Sequence, residues 1–279
     1  MNYASQQVAI YLNLFNLISG IPGGICILIV FLSLKTFRDN TCAFYLMVMC
    51  VANIGQLIIG SLSRFVISGF AIDWTVTSVF YCKFRVYLIQ ACSLISLTCL
   101  CLATIDQYFA TSSRVRWRQW SNIKLVRYLT GLTVIFWLIF ASLYPIYYNI
   151  VLSSTTKKMA CMTTNSVFSS YNLSFHRIVM LGFLPNLITG LFAILIRRNI
   201  RNLAYRTVPL IRRELDKQLS NMLLVQVAFN IFALLLFNIT SIIVPYFLTT
   251  NDRVVTAKLQ FVQVLSYCIY YMYPAVRIR

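Results

Sequence analysis

The stretch from Cys82 to Tyr108, CKFRVYLIQACSLISLTCLCLATIDQY, is a long apolar segment with a cysteine at one end and an Asp-Gln-Tyr triplet at the other. As one helix rising about 1.5 Å per residue, it places Cys82 and Asp106 roughly 36 Å apart, slightly more than the ~30 Å hydrocarbon core of a bilayer. The two residues therefore belong at opposite membrane faces. Similar runs of about 20 apolar residues recur between short polar connections and predict spanning helices; barrel strands would instead alternate over about 10 residues. Composition agrees, with 59% hydrophobic residues, 11% charged and a mean hydropathy of +0.77, against about 25% charge in an ordinary soluble domain. The chain reads as an all-α integral membrane protein. Its first residues, MNYASQQ, lack the positive n-region and cleavage site of a signal peptide, so the first helix is expected to act as the targeting element.

A net charge of +18 raises the possibility of nucleic acid, but the basic residues form no interleaved aromatic and basic surface. They sit on alternate connections instead. Lys35 and Arg38 follow the first run, and Arg114, Arg116, Arg118, Lys124 and Arg127 follow the third. Arg197, Arg198, Arg201, Arg206, Arg212, Arg213 and Lys217 follow the fifth, and Arg277 and Arg279 end the chain. The positive-inside rule makes these four connections cytoplasmic, with the N-terminus outside. Of the 9 cysteines, Cys26, Cys50, Cys92, Cys99, Cys101 and Cys268 lie inside apolar runs, where cysteine is ordinarily a small packing residue. Cys82, at a helix mouth, and Cys161, in a polar loop, share the expected oxidising side.

The outer cysteine and inner acidic triplet at this separation resemble the third transmembrane helix of the rhodopsin-like G-protein-coupled receptors, whose triplet is Asp-Arg-Tyr. Here Asp106 and Tyr108 match, and Gln107 replaces the arginine. The resemblance covers essentially the whole chain and looks most like the invertebrate neuropeptide-type receptors. It implies a seven-helix bundle with a cytoplasmic C-terminus, and the runs give spans at about 8–34, 41–67, 79–111, 122–148, 173–196, 217–249 and 256–276. It also implies a disulfide between Cys82 and Cys161. Trp137 with Pro145 resembles the family's fourth helix, and Pro185 its fifth.

Several positions depart from the family pattern. The second-helix aspartate that helps bind sodium falls on Asn53, counted from Leu46; asparagine keeps hydrogen bonds but loses the charge. The sixth helix lacks the Cys-Trp-x-Pro motif, with Ala233 to Phe237 the nearest equivalents. The seventh ends in Tyr273-Pro274-Ala275-Val276-Arg277, where only Pro274 of Asn-Pro-x-x-Tyr survives. An amphipathic eighth helix and a tail cysteine are absent from the sequence. Asn53, Asp106, Gln107, Tyr108 and Pro274 are thus the positions matched to activation and G-protein coupling. Gln107 cannot make the charged pair with Asp106 that the family's arginine makes, so the resting lock is expected to be weaker.

One histidine, His176, and no HExxH, GxSxG or phosphate-cradling glycine loop leave metal, acyl-transfer and nucleotide chemistry without residues, so neither an enzyme nor a cofactor is expected. The resemblance implies instead a plasma-membrane receptor that senses an extracellular ligand and activates a heterotrimeric G protein. Amine receptors carry an aspartate seven residues after the third-helix cysteine, where this chain has Ile89. Opsins carry a lysine deep in helix seven, and Lys258 lies too near its mouth. A short peptide is therefore favoured over an amine or retinal. Arg64, Gln90, Ser93, Gln263 and Tyr267 are the polar groups expected to orient it, each competing with a role in interhelical bonding. Arg64, Lys83, Arg85, Lys157, Lys158 and Arg177 offer to receive a carboxylate, against the plainer reading as solvated rim charges. Asn172-Leu173-Ser174 is a glycosylation acceptor in the second outer loop. The alternatives are a seven-helix protein that no longer couples, a truncated one, or a transporter, although no matched pair of broken spans is visible.

Overall fold

Polar residues fix where the apolar runs begin to coil. Asn40 accepts from the Ala43 amide at 3.1 Å, Ser78 from Tyr81 at 3.3 Å and Asn122 from Lys124 at 3.0 Å, each satisfying an amide that the first helical turn leaves without a partner. The computed structural model describes residues 2–70, 72–112, 115–119, 121–152, 159–203, 210–247 and 253–275. Seven long helices result: α1, Asn2–Ser33; α2, Thr41–Phe70; α3, Val79–Thr111; α4, Ile123–Tyr147; α5, Ser166–Arg201; α6, Leu210–Phe247; and α7, Arg253–Ala275. Helices α1 to α6 each contain a segment long and apolar enough to cross a membrane. In α7 the apolar segment among the described residues, Phe261–Met272, is shorter. That helix packs against α1 and α6 within the bundle.

Burial ranks the helices. In the apolar window of α3, 61% of residues are buried, against 17% in α4 and 22% in α1, so α3 is the central post and α4 a peripheral stave. Ile135, Phe136 and Ile139 of α4 are exposed, as lipid-facing residues are. Lipid is as apolar as leucine, so helices in a bilayer cohere by close packing and interhelical hydrogen bonds worth about 0.6 kcal/mol each. Such bonds include Ser96 of α3 to Asn53 of α2, Ser61 of α2 to Asn13 of α1 at 2.9 Å, and Trp137 of α4 to Thr98 of α3 at 2.9 Å.

The structure amends the expected boundaries. Pro22 lies inside α1, which stays helical through Gly20 to Gly24. The Cys50 thiol of α2 reaches the Gly24 carbonyl at 3.3 Å, whereas a side chain at Gly23 would meet open space. The connection after α4 is not all loop: β1, Tyr148–Leu152, pairs antiparallel with β2, Met159–Thr163, placing Ile150 opposite Cys161. Asn165 caps the following segment by accepting from the Val167 and Phe168 amides, which starts α5 at Ser166, earlier than expected. Both α2 and α5 contain π-helical stretches, Leu57–Ser61 and Asn172–Phe183, which hydropathy does not signal.

Candidate functional site

Where the apolar runs end, α3 carries Cys82, fully buried and bonded to Cys161 of β2 with a Cα–Cα separation of 5.8 Å. The expected disulfide is therefore present and ties the β-hairpin to the end of α3. Close to this disulfide end lies a cavity of about 160 Å³. Arg64 of α2, Gln90 and Ser93 of α3, and Tyr267 of α7 all line it, bringing together four of the five residues expected to orient a ligand. Gln263, one turn before Tyr267, is not among the lining residues.

Three guanidiniums converge on the cavity from separate helices: Arg64 of α2, Arg85 of α3 and Arg177 of α5. No carboxylate lines it among the described residues. The Arg64 Cζ sits 4.1 Å above the Tyr267 ring centroid and 5.8 Å from that of Tyr271, tyrosines one turn apart on one face of α7. The Arg85 Nε donates to Ser63 Oγ at 2.7 Å, anchoring it to α2. Ser93 donates to the Ile89 carbonyl at 2.7 Å and accepts from the Tyr270 hydroxyl at 3.2 Å. The cavity side of Ser93 is thus an interhelical clasp as well as a lining.

His176 is fully buried and does not line the cavity. Its Nε2 pairs with Gln90 Oε1 at 3.0 Å while its ring lies against Phe140 and Tyr144, so it holds Gln90 in place from behind. Tyr148 of β1 also lines the cavity. Burial pushes its phenol above the usual range, and the nearby Arg177 draws it part of the way back. Asn172 does not suit the glycosylation expected of it. It is 6% exposed, its Oδ1 accepts from the Tyr144 hydroxyl at 3.3 Å, and its Nδ2 donates to Tyr148 at 3.4 Å. A glycan on that nitrogen would displace the Tyr148 contact and open the packing around it. Lys157 and Lys158 lie outside the described residues.

The other end of α3 holds the acidic triplet. Asp106 is buried and its Oδ2 accepts from Thr41 Oγ1 at 2.6 Å; Thr41 is in turn 2.7 Å from Ser121 Oγ. Gln107 is 1% exposed, and its Nε2 donates to Ser220 Oγ of α6 at 2.7 Å. The two neighbours thus tie α3 to different helices, Asp106 to α2 and Gln107 to α6. Tyr108 packs edge-on against Trp117 and Phe192. Asn53 is bonded to Ser96, as noted above, and its Nδ2 is buried without a partner. Pro274 is within α7. Among the described residues no group of three metal-ligating side chains comes together.

The sequence matches no protein-family model and no curated protein. Three participants went unread in the sequence. Thr41 and Ser220 are common helix residues with nothing to flag them, whereas Tyr271 carried a signal, its spacing of four from Tyr267.

Proposed function

We propose that this chain is a rhodopsin-like G-protein-coupled receptor of the plasma membrane, with seven spans, the disulfide end outside and the triplet end cytoplasmic. Its ligand is extracellular, a short peptide ahead of an amine or retinal, and its output is nucleotide exchange on a heterotrimeric G protein. One observation carries the reading. A single buried helix, α3, joins a polar cavity beside a disulfide-tethered hairpin to an acidic triplet bonded to α2 and α6. The alternation of basic connections supports the orientation. Ile89 among the cavity's lining residues leaves an amine without a counter-charge at that position.

A ligand that prefers one packing of α3 against its neighbours shifts the equilibrium at both ends of the helix, because both ends belong to one rigid element. In this chain the resting contact is the neutral Gln107–Ser220 bond. Such a bond contributes about 1 kcal/mol, so Gln107→Ala should raise the active population, and basal nucleotide exchange on a purified heterotrimer, about fivefold. Gln107→Arg, restoring the family's cation, should raise ligand-dependent exchange. If wild type and both variants leave exchange at the rate of the G protein alone, coupling is absent. The second reading, a receptor-like protein that binds without coupling, then takes its place; the neutral residue at Gln107 already favours it.

A further inference from the structure

We infer that the cavity at the disulfide end selects an oxyanion, a carboxylate carried either by a small organic acid or by the end of a short peptide, clasped by Arg64, Arg85 and Arg177. Binding itself does not depend on G-protein coupling; only the consequence of binding rests on the receptor reading. The inference starts from an imbalance of charge. Three guanidiniums face one small space that no described carboxylate lines, and charged groups at membrane depth persist where they pair or serve a pathway. Arg64 is met by neutral groups, the ring faces of Tyr267 and Tyr271 and a hydrogen bond to the Tyr271 hydroxyl. Its Cζ is 4.1 Å from the Tyr267 centroid, and its Nε is buried with no hydrogen-bond partner. Ring faces and one neutral hydroxyl carry no counter-charge for a desolvated guanidinium, so this site is completed by an anion brought from outside.

The donors suit a planar oxyanion. Arginine presents its N–H groups as a rigid fork matching the two oxygens of a carboxylate. Arg85 is already fixed through its Nε by Ser63 at 2.7 Å, which removes part of the ordering cost of engaging its outer nitrogens. The hydroxyl of Tyr148, which accepts from Asn172 and keeps its own proton, adds a neutral donor on the hairpin side. Size narrows the occupant. The cavity of about 160 Å³ is smaller than the roughly 300–1,000 Å³ that encloses a drug-sized molecule. It therefore holds an acidic end group, while the remainder of a peptide would lie outside it. Leu181 and Phe237 supply an apolar wall for the carbon adjoining the carboxylate.

The test uses the full chain in lipid nanodiscs and three probes at millimolar concentration: succinate, the tripeptide Gly-Gly-Phe as the free acid, and the same tripeptide amidated at its C-terminus. Thermal melting reads binding, because a ligand that binds only the folded state raises the midpoint. The expected result is a rise of a few degrees with at least one acid and none with the amide. Arg64→Gln and, independently, Arg85→Gln should weaken the effective acid at least tenfold, each with an unliganded melting temperature close to wild type. Arg64→Lys should recover part of the loss. A response to succinate with none to the tripeptide acid assigns the small-acid source, and the converse assigns the peptide end. The inference is overturned if the amide acts as strongly as the acid, if neither acid moves the midpoint, or if both glutamine variants bind like wild type. Nucleotide exchange separates the two readings. Acid binding without exchange leaves the oxyanion site standing and removes the receptor; exchange stimulated by the amide, without acid binding, does the reverse.

Discussion

Replacing Cys82 and Cys161 with serine should lower the stability of the folded chain by about 4 kcal/mol, most of the margin of an ordinary domain. The disulfide closes a loop with a sequence separation of 79, and a chain that long loses much unfolded-state freedom when its ends are joined. The native state loses as well. Cys161 lies on β2, opposite Ile150 of β1, so the bond holds the hairpin, and with it Tyr148, beside the cavity. Melting of wild type under a reducing agent should fall together with that of the double-serine variant. Cys26→Ser, at an exposed free cysteine, should leave it unchanged. Equal stability of the oxidised wild type and the double-serine variant would show that packing alone holds the hairpin.

Gly60→Val should also be destabilising, for a steric reason. A Cβ at Gly60 would lie 2.6 Å from Cε1 and 2.7 Å from the hydroxyl oxygen of Tyr271, closer than real side chains approach. Tyr271 is 4% exposed and sits in the cluster with Leu94, Leu234 and Tyr270, so it has little room to retreat. Overpacking of this kind costs about 1–3 kcal/mol. Displacing Tyr271 would disturb the setting of Arg64, whose guanidinium lies 5.8 Å from its ring. Melting should therefore fall, and the acid-dependent rise in melting temperature should fall with it by a larger proportion. Gly60→Ala should show the same direction with a smaller effect. A Gly60→Val protein that melts and binds like wild type would remove Tyr271 from the architecture of the site.

The legible part of the fold was that written in hydropathy. Apolar runs located the helices because a bilayer demands a continuous hydrogen-bonded span, and the positions of Cys82 and Cys161 were legible once a family resemblance had been noticed. Arg64, Gln90, Ser93 and Tyr267 line one cavity because polar residues near one end of several spans have few other places to go. Gln263, one turn before Tyr267 on the same face of α7, is not among the lining residues, because its position along the helix axis differs and residue type does not give that depth. The hairpin escaped notice because YNIVL and MACMT are too short to alternate clearly beside an apolar helix. Asn172 was read as an exposed acceptor from three letters. Its burial follows from the hydroxyls of Tyr144 and Tyr148, which belong to another part of the chain. The Gln107–Ser220 bond could not be read at all, because a serine among polar neighbours in the early turns of a helix before its apolar run gives no directional signal.

The π-helical stretch in α2 makes chain length, as well as side-chain identity, a determinant of the cavity. In an unbroken α-helix Asn53 and Arg64 would lie roughly 20° apart around the axis and face the same neighbour. The wider turn at Leu57–Ser61 absorbs an extra residue, a rotation of roughly 100°. Asn53 can consequently meet Ser96 on α3 while Arg64 lies over Tyr267 on α7. A one-residue deletion within that stretch would rewind α2 and carry the Arg64 guanidinium off its aromatic cradle with every other side chain unaltered. Ligand preference in such a bundle can therefore change by a single codon gained or lost, a route that comparison of aligned substitutions would overlook.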